Sequence, residues 1–503
     1  MCGIAGFINT SQVGHESICH KMVATLHHRG PDHSDVWISK DHGIALGHAR
    51  LSILDLSTAG HQPMTSSCGR YVMTFNGEIY NHLQLRKELS LSGYSTSWRG
   101  HSDTETLLAA FSVWGVKKTL QECVGMFALA LWDNKEKKLT LTRDRIGEKP
   151  VYYGWQGSSF LFGSELKALK AHPEFQNNIN RDSLCLLLRH NTISSPYSIY
   201  QGVSKLGPGS ILTLNLSNKE IEVETYWSMK EVVQSALNNP FVGSEKEALL
   251  ELEAVLSQSV SDQMISDVPL GAFLSGGIDS STVVALMQSQ SSNKVKTFSI
   301  GFNEKGYDEA KHAKDVAEHL GTDHTELYVT SSEALDVIPQ LPVMFDEPFS
   351  DSSQIPTYLV SKLAKRNVDV SLSGDGGDEL FGGYNRHIWV KSIWNKTSHL
   401  PLFSRRLILY AITSLSPTTW NQFFQMCSSV FPSRYRVSQP GDKMYKLASV
   451  IASESPDAMY RDLVSHWSTP DSVVLGSKEP ETLLDNSSML PDLFDVEQRM
   501  MFL

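Results

Sequence analysis

Pro269-Leu270-Gly271-Ala272-Phe273-Leu274-Ser275-Gly276-Gly277-Ile278-Asp279-Ser280-Ser281 sets an apolar run against a glycine turn, and a helical pattern follows over residues 281–288. A short apolar run closed by a turn and succeeded by a helix reads as a buried strand in a strand, turn, helix unit. Glycines let the backbone wrap closely around an anion, while the helix start offers unpaired N–H groups and a favourable dipole. Serine hydroxyls add hydrogen bonds, and Asp279 suits a Mg2+ bridging to phosphate. A generic Gly-Gly turn is the plain alternative, and the placement between strand and helix argues against it. No GxxxxGK(S/T) stretch occurs, which excludes a kinase-type phosphate cradle.

Downstream the rhythm continues, with strands read at 294–302, 325–329 and 368–373 and helices at 308–320 and 352–365. Strands alternating with helices predict a parallel α/β sheet with ligands at the strands' carboxyl ends. A second glycine-rich loop, Ser373-Gly374-Asp375-Gly376-Gly377-Asp378-Glu379-Leu380-Phe381-Gly382-Gly383-Tyr384, again follows an apolar run. Its three acids repel one another and any phosphate unless Mg2+ or cationic groups offset them. A solvated acidic turn is the alternative. The last hundred residues look helical and carry no interpretable motif.

Upstream the pattern is different. Short strands are read at 44–48, 70–75, 126–132, 138–143 and 160–163, and helices at 16–28, 82–92 and 103–114, which predicts an α+β, sheet-rich domain. Residues 191–243 contain Pro196, Pro208, Pro240 and the Gly207-Pro208-Gly209 turn without a strong helical period, and read as a connecting segment with room for a hairpin. The expected division is therefore 1–190, 191–243 and 244–503.

A length of 503 residues exceeds what one hydrophobic core supports, so two domains with two sites are expected. Lys and Arg total 44 against 55 Asp and Glu, and the net charge of -11 argues against a broad nucleic-acid or anionic-membrane surface. Cys2, Cys19, Cys68, Cys123, Cys185 and Cys427 are scattered, with neither a CxxC pair nor zinc spacing, as in a reducing compartment. Most are expected to be buried small hydrophobes. The start MCGIAGFINT lacks a signal-peptide pattern and no run approaches a membrane span, so a cytoplasmic location is expected.

Removal of Met1 would leave Cys2 with a thiol and an α-amine on one skeleton. An α-amine titrates near 7.7 to 8.0, so close to neutral pH it can take the thiol proton, directly or through water, without a dedicated histidine. A bare Met-Cys start is more often incidental, and other segments change that weighting. In Thr74-Phe75-Asn76-Gly77-Glu78-Ile79-Tyr80-Asn81, a side-chain amide and an unhindered N–H stand side by side at a strand end, the parts of an oxyanion hole. Asn-Gly alone would equally suit a hairpin turn. Arg50, in Gly47-His48-Ala49-Arg50-Leu51-Ser52-Ile53, offers a fork for an α-carboxylate or a surface ion pair. His28-Arg29-Gly30-Pro31-Asp32 reads as a helix stop, and Asp103, in Gly100-His101-Ser102-Asp103-Thr104-Glu105, sits where a helix cap would.

From Cys2 to about residue 190 these segments, in this order, resemble class II glutamine amidotransferase domains. The resemblance implies Cys2 as nucleophile and base, Asn76 and Gly77 as the oxyanion hole, and Arg50 as the holder of the glutamine carboxylate. It further implies Glu78 and Asp103 at the amino end of glutamine, with Ile53, Leu54 and Ser102 lining the pocket.

The two glycine loops, with Phe345-Asp346-Glu347-Pro348-Phe349 and Ile355-Pro356-Thr357-Tyr358, resemble the ATP-pyrophosphatase domain of glutamine-hydrolysing asparagine synthetases. That implies ATP contacts at Leu274, Ile300, Ser373 and Gly374, pyrophosphate contacts at Ser275, Gly276, Gly277, Asp279 and Ser280, Mg2+ at Asp279 and Asp378, and support of acyl-adenylate formation by Asp375. The implied reaction amidates aspartate with ammonia from glutamine, giving asparagine, AMP, pyrophosphate and glutamate. An interdomain ammonia tunnel and a homodimer are carried as expectations of the resemblance alone. The family usually continues well beyond Met500-Met501-Phe502-Leu503, including a catalytic lysine, so a partial sequence is expected. The competing readings are an amidotransferase for a sugar acid, peptide or other carboxylate, a glutaminase-only or regulatory homologue, and a non-catalytic scaffold. A scaffold needs none of Cys2, Asn76, Asp279 and Asp375.

Overall fold

The computed structural model describes every residue except 11–12, 95–96, 303–308, 427–439, 487–489, 492, 494 and 503. Cys427 and the first residue of the helix read at 308–320 therefore lie outside the described residues. The described part divides into two compact units, one of residues 1–183 and 193–374, the other of 184–192 and 375–503.

The first unit contains three sheets. One runs, from edge to edge, Ser204–Lys205, Tyr152–Gln156, Ser159–Gly163, Gly3–Ile8, Ile44–Arg50, His33–Ser39. The second runs Ile221–Thr225, Ser210–Asn215, Lys138–Arg143, Gly125–Asp133, Tyr71–Ile79, Met64–Thr65. Within both, neighbouring strands are antiparallel.

Alternation along the strands explains the layering. In Gly125–Asp133, Phe127, Leu129 and Leu131 join a cluster with Leu85, Leu107, Leu108 and Phe111 of the helices His82–Leu91 and Asp103–Trp114. The intervening Ala128, Ala130 and Trp132 pack with Ile8, Ile44, Leu46, Phe160 and Phe162 of the other sheet. Successive side chains point to opposite faces, so both faces of this strand are apolar and buried. The first sheet is closed on its far side by His15–Ala24: a Cβ on Gly47 would come within 2.3 Å of Val23 and 2.9 Å of the Cys19 sulfur. The result is two facing sheets between helical layers.

The third sheet is wholly parallel, in the order Asp323–Val329, Lys296–Phe302, Leu270–Phe273, Val370–Leu372. Its core combines Ala272, Leu274, Val284, Met287, Ala313 and Ala317. The expected α/β rhythm is present, with one shift: the helix after the glycine turn is Ile278–Gln290, not 281–288. Gly277 is its N-cap residue, so Asp279 and Ser280 belong to the first helical turn. Ser275 and Ser280 stabilise the early start, their hydroxyls lying 2.9 Å apart while the Ser275 amide donates to the Ser280 hydroxyl at 3.2 Å.

The segment 191–243 holds the hairpin Ser210–Asn215 with Ile221–Thr225, whose first strand pairs with Lys138–Arg143. It also holds a helix at Met229–Asn238 with no buried residue. Its apolar positions 229, 232, 233, 236 and 237 do follow a helical period, too briefly to stand out between the prolines. The strands Gly3–Ile8, His33–Ser39 and Tyr152–Gln156 are absent from the sequence reading. The first is apolar and buried throughout, as a strand covered on both faces must be, and so shows no alternation.

In the second unit, helices Asn385–Thr397, Pro440–Ile451, Pro456–Val464 and Val496–Phe502 enclose Val390, Val450, Met459, Tyr460 and Met500. Cys19, Cys123 and Cys185 are buried as expected of small hydrophobes, whereas Cys68 is exposed. Among the described residues no helix is long and apolar enough to cross a membrane.

Candidate active site

Strand parity brings the candidate residues of the two-sheet layer together. In Tyr71–Ile79 the odd positions Tyr71, Met73, Phe75 and Ile79 face the helices, and Val72 faces the other sheet. Asn76 and Glu78 share the parity of Val72 and point inward. In Ile44–Arg50, Ile44 and Leu46 face inward, the His48 ring meets the Phe75 carbonyl at 3.0 Å, and Arg50 follows on the same face. Cys2 has the parity of inward-facing Ile8. One pocket is lined by Cys2, Arg50, Ile53, Leu54, Asn76, Gly77, Glu78, Ser102 and Asp103 together with Met1, Gln62, Thr104, Met126 and Lys149.

The thiol of Cys2 lies 3.4 Å from the Leu51 amide nitrogen and 3.6 Å from its carbonyl oxygen. Its own carbonyl accepts a 2.9 Å hydrogen bond from Arg29 Nε, and the Arg29 guanidinium pairs with Glu165 at 2.8 Å. Burial pushes the Cys2 thiol above its ordinary range. With Met1 in place the neighbouring α-amine belongs to Met1, and burial lowers it to about 6.

Asn76 is 1% exposed, and neither its amide nitrogen nor its amide oxygen has a hydrogen-bond partner among the described residues. A buried unsatisfied polar group costs about 1–3 kcal/mol, so a residue retained only for packing would not keep two of them. Gly77 is needed sterically: a Cβ there would stand 2.2 Å from the Met126 carbonyl oxygen and 2.6 Å from Phe127 Cα.

Arg50 is 4% exposed and makes no ion pair among the described residues, so it is not a surface charge. Its guanidinium donates to the carbonyls of Asp55 and, at 3.1 Å, Ser57. The loop over residues 53–60 thus holds the fork in place. Gly60 packs under it, because a Cβ there would fall 2.2 Å from an Arg50 nitrogen.

The helix cap at Asp103–Trp114 corrects one expectation: Ser102, not Asp103, is the N-cap, its hydroxyl accepting from the Glu105 amide at 3.3 Å. Asp103 instead accepts from the amides of Ile79 at 2.9 Å and Thr104 at 2.7 Å. Burial raises its carboxyl to about 6 against these bonds. Burial and the charge of Asp103 raise Glu78 to about 8, with Lys149 pulling the other way, and one Glu78 oxygen has no partner among the described residues. Burial and the neighbouring acid thus favour the protonated form of Glu78.

If Glu78 meets the ammonium of a bound glutamine, as the resemblance implies, that ammonium would stabilise its ionised form, so binding would release a proton and tighten as pH rises toward about 8. The KM for glutamine is expected to fall severalfold between pH 6 and pH 8, and Glu78→Gln to flatten the profile. A KM independent of pH in the unsubstituted protein would remove Glu78 from the amino-end site.

Three contributors escaped the sequence reading because their roles depend on distant partners. Arg29, within the stretch read as a helix stop, anchors the Cys2 backbone. Gln62 accepts from the Phe75 amide at 2.7 Å and donates to Thr104 at 3.2 Å, tying strand to helix beneath the pocket. Lys149 is carried into it by a loop whose amides at Gly147, Glu148 and Lys149 all donate to the Asp144 carboxylate.

At the parallel sheet the glycine turn is built as its sequence demands. Gly276 has φ +78, and a Cβ would meet the Ala313 amide at 2.7 Å. Gly374, after the neighbouring strand Val370–Leu372, approaches the helix start so closely that its Cβ would lie 2.6 Å from the Ser280 amide nitrogen. Leu274, Ser275, Gly276, Gly277, Asp279, Ser280 and Gly374 therefore gather at the carboxyl ends of two adjacent strands, with Ile300 on the next one. Ser373 lies in the same unit, whereas Asp375 and Asp378 belong to the second. There Asp378 folds over Gly383, where a Cβ would sit 1.9 Å from its Oδ1.

Among the described residues no group of three or more His, Cys, Asp or Glu could hold a metal ion. Mg2+ in phosphate sites usually takes one or two carboxylates and completes its shell with phosphate oxygens and water. A single carboxylate at the glycine turn, that of Asp279, fits that chemistry.

A pocket that gathers Cys2 and the buried Asn76 amide, in one unit with a parallel sheet that carries a glycine turn, is the arrangement expected of glutamine-dependent carbon–nitrogen ligases. Residues 1–227 match the glutamine amidotransferase domain model and residues 251–502 the asparagine synthase model. A protein of Methanocaldococcus jannaschii provisionally named asparagine synthetase (glutamine-hydrolysing) 2 is 38% identical over 407 residues, covering 77% of this chain and 76% of that one. Asparagine synthetase (glutamine-hydrolysing) 1 of Bacillus subtilis is 36% identical over 389 residues, covering 76% of this chain but 59% of its own length. A solved B. subtilis glutamine phosphoribosylpyrophosphate amidotransferase aligns at 14% identity and a TM-score of 0.36, over 66% of this chain and 91% of that one. The chain belongs to the glutamine-hydrolysing asparagine synthetase family.

Proposed function

We propose that the chain hydrolyses glutamine at Cys2 and uses the ammonia to amidate aspartate through an aspartyl-adenylate made from ATP. The observation that carries the glutaminase half is the buried, unpartnered Asn76 amide in the pocket of Cys2 and Arg50. The parallel sheet with its glycine turn, the asparagine synthase match and the relatives' names support the other half.

After loss of Met1 the Cys2 α-amine takes the thiol proton and the thiolate attacks the glutamine amide carbon. Asn76 and the Gly77 amide hydrogen-bond the oxyanion, the amine returns the proton to departing ammonia, and water hydrolyses the thioester to glutamate. Arg50 holds the substrate carboxylate, Glu78 and Asp103 its ammonium, and Ile53, Leu54 and Ser102 the chain between. At the other site the acceptor carboxylate attacks the α-phosphorus of ATP, pyrophosphate leaves, and ammonia displaces AMP. Leu274, Ile300, Ser373 and Gly374 bind ATP, Ser275 to Ser280 cradle its pyrophosphate, and Asp375 supports the adenylate. Mg2+, when bound through Asp279 and Asp378, neutralises phosphate charge. Domains at 1–190 and 244–503 joined by 191–243, a cytoplasmic location and a homodimeric assembly belong to the same reading.

The acceptor is tested by measuring AMP and pyrophosphate formed from ATP, Mg2+ and ammonia with aspartate, a sugar acid or a peptide carboxylate. Aspartate-dependent release is expected; release with another acid and none with aspartate would overturn the acceptor. Asp279→Ala is expected to lower pyrophosphate release on the order of 10²-fold while glutamate formation stays within about twofold. Unchanged pyrophosphate release would remove Asp279 from the phosphate site.

A further inference from the structure

The glutamine pocket and the strand that feeds the glycine turn are joined by a hydrogen-bonded clasp within the first unit. Asp267 lies three residues before Leu270–Phe273. Its amide donates to the Ile53 carbonyl at 3.0 Å, and its Oδ2 accepts from the Asp55 amide at 2.8 Å. The same oxygen accepts from His101 Nε2 at 2.7 Å, and the His101 amide donates to Asp55 Oδ2 at 2.8 Å. Asp55 is 1% exposed, adopts φ +56, and presents its carbonyl to Arg50. A single residue therefore connects the two sides, with its N–H bonded to Asp267 and its C=O to the Arg50 guanidinium.

Alternatives to the clasp for fixing this loop are few. Asp55 has φ +56, a conformation uncommon outside glycine that Asp tolerates better than most residues, and bonds from outside the loop help to hold it there. Ser57 closes the loop locally by donating its hydroxyl to Asp55 Oδ1 at 2.5 Å. Asp267 bonds both the Ile53 carbonyl and the Asp55 amide, and bonds from amides to a carboxylate are among the stronger hydrogen bonds in proteins. Gly100 completes the fit, because a Cβ there would stand 2.0 Å from Asp55 Oδ2.

We propose that Asp267, with His101, is a positioning residue for glutamine: from the synthetase side it sets the 53–55 loop and through it the Arg50 fork. This rests on the proposed role of Arg50 and extends it to a residue outside the amidotransferase match, at the root of the strand leading to Ser275. The alignment of the fork governs how well a glutamine carboxylate is held and not the chemistry at Cys2. The effect therefore falls on substrate affinity.

The test uses the full chain with Met1 removed. Asp267→Ala is expected to raise the KM for glutamine in glutamate release about tenfold or more with kcat within about twofold, and His101→Gln, which keeps a donor, to raise it less than His101→Ala. Calorimetric titration of glutamine into Cys2→Ala and Cys2→Ala/Asp267→Ala chains reads the same loss without turnover. An unchanged KM and affinity in Asp267→Ala, or equal losses in His101→Gln and His101→Ala, overturns the inference. Absence of glutamate release from the unsubstituted chain overturns the proposed function instead, and the titration still decides the clasp.

Discussion

Replacing Cys2 by alanine is expected to abolish glutamate formation from glutamine, by on the order of 10⁴-fold or more, while ammonia-supported pyrophosphate release persists. Among the described residues the thiol is the only sulfur nucleophile lining the pocket, whose other sulfur atoms are the thioethers of Met1 and Met126. Burial raises the Cys2 thiol, so ionisation needs a base at hand, and the α-amine that Met1 removal would create on Cys2 itself is the proposed one. Retention of Met1 should silence the pocket as Cys2→Ala does. Mass spectrometry of the intact chain alongside both nitrogen donors checks this. Glutamate release from a Met1-retaining chain would show that another base serves Cys2.

Asn76→Ala is expected to lower kcat for glutamate formation by about 10²–10³-fold, with the KM for glutamine moved far less. In the proposed role the Asn76 side-chain NH2 donates to an oxyanion that exists only in the transition state, so its loss is felt there and not in binding. Both of its polar atoms are buried without partners, so deleting them removes a desolvation cost, and the melting temperature is not expected to fall with the rate. A lower melting temperature with an unchanged kcat would make Asn76 a packing residue.

These residues were readable in the sequence to the extent that their chemistry is local. The glycine turn could be placed because Gly276 and Gly277 occupy positions where strand, turn and helix succeed one another. Asn76 and Gly77 could be paired because they are adjacent. Three features were not local. The helix after the turn starts at Ile278, since the Ser275 to Ser280 hydroxyl pairing closes the first turn earlier than apolar periodicity indicates. Ser102 takes the cap that the helix start suggested for Asp103, because the Ile79 amide claims the Asp103 carboxylate from another element. The strand Gly3–Ile8, which delivers Cys2, is apolar on both faces and lacks any period to read. Arg29 and Asp267 act on Cys2 and on the Arg50 loop across 27 and 212 residues of sequence, and no window of local pattern spans such separations.

The site itself is tested most directly by treating the Met1-processed chain with an electrophilic glutamine analogue and locating the adduct by peptide mass spectrometry. A single adduct on Cys2, formed more slowly in Arg50→Ala and suppressed by excess glutamine, is the predicted result. Labelling at another cysteine with Cys2 unmodified, or labelling indifferent to glutamine, would contradict the assignment of this pocket as the glutaminase site.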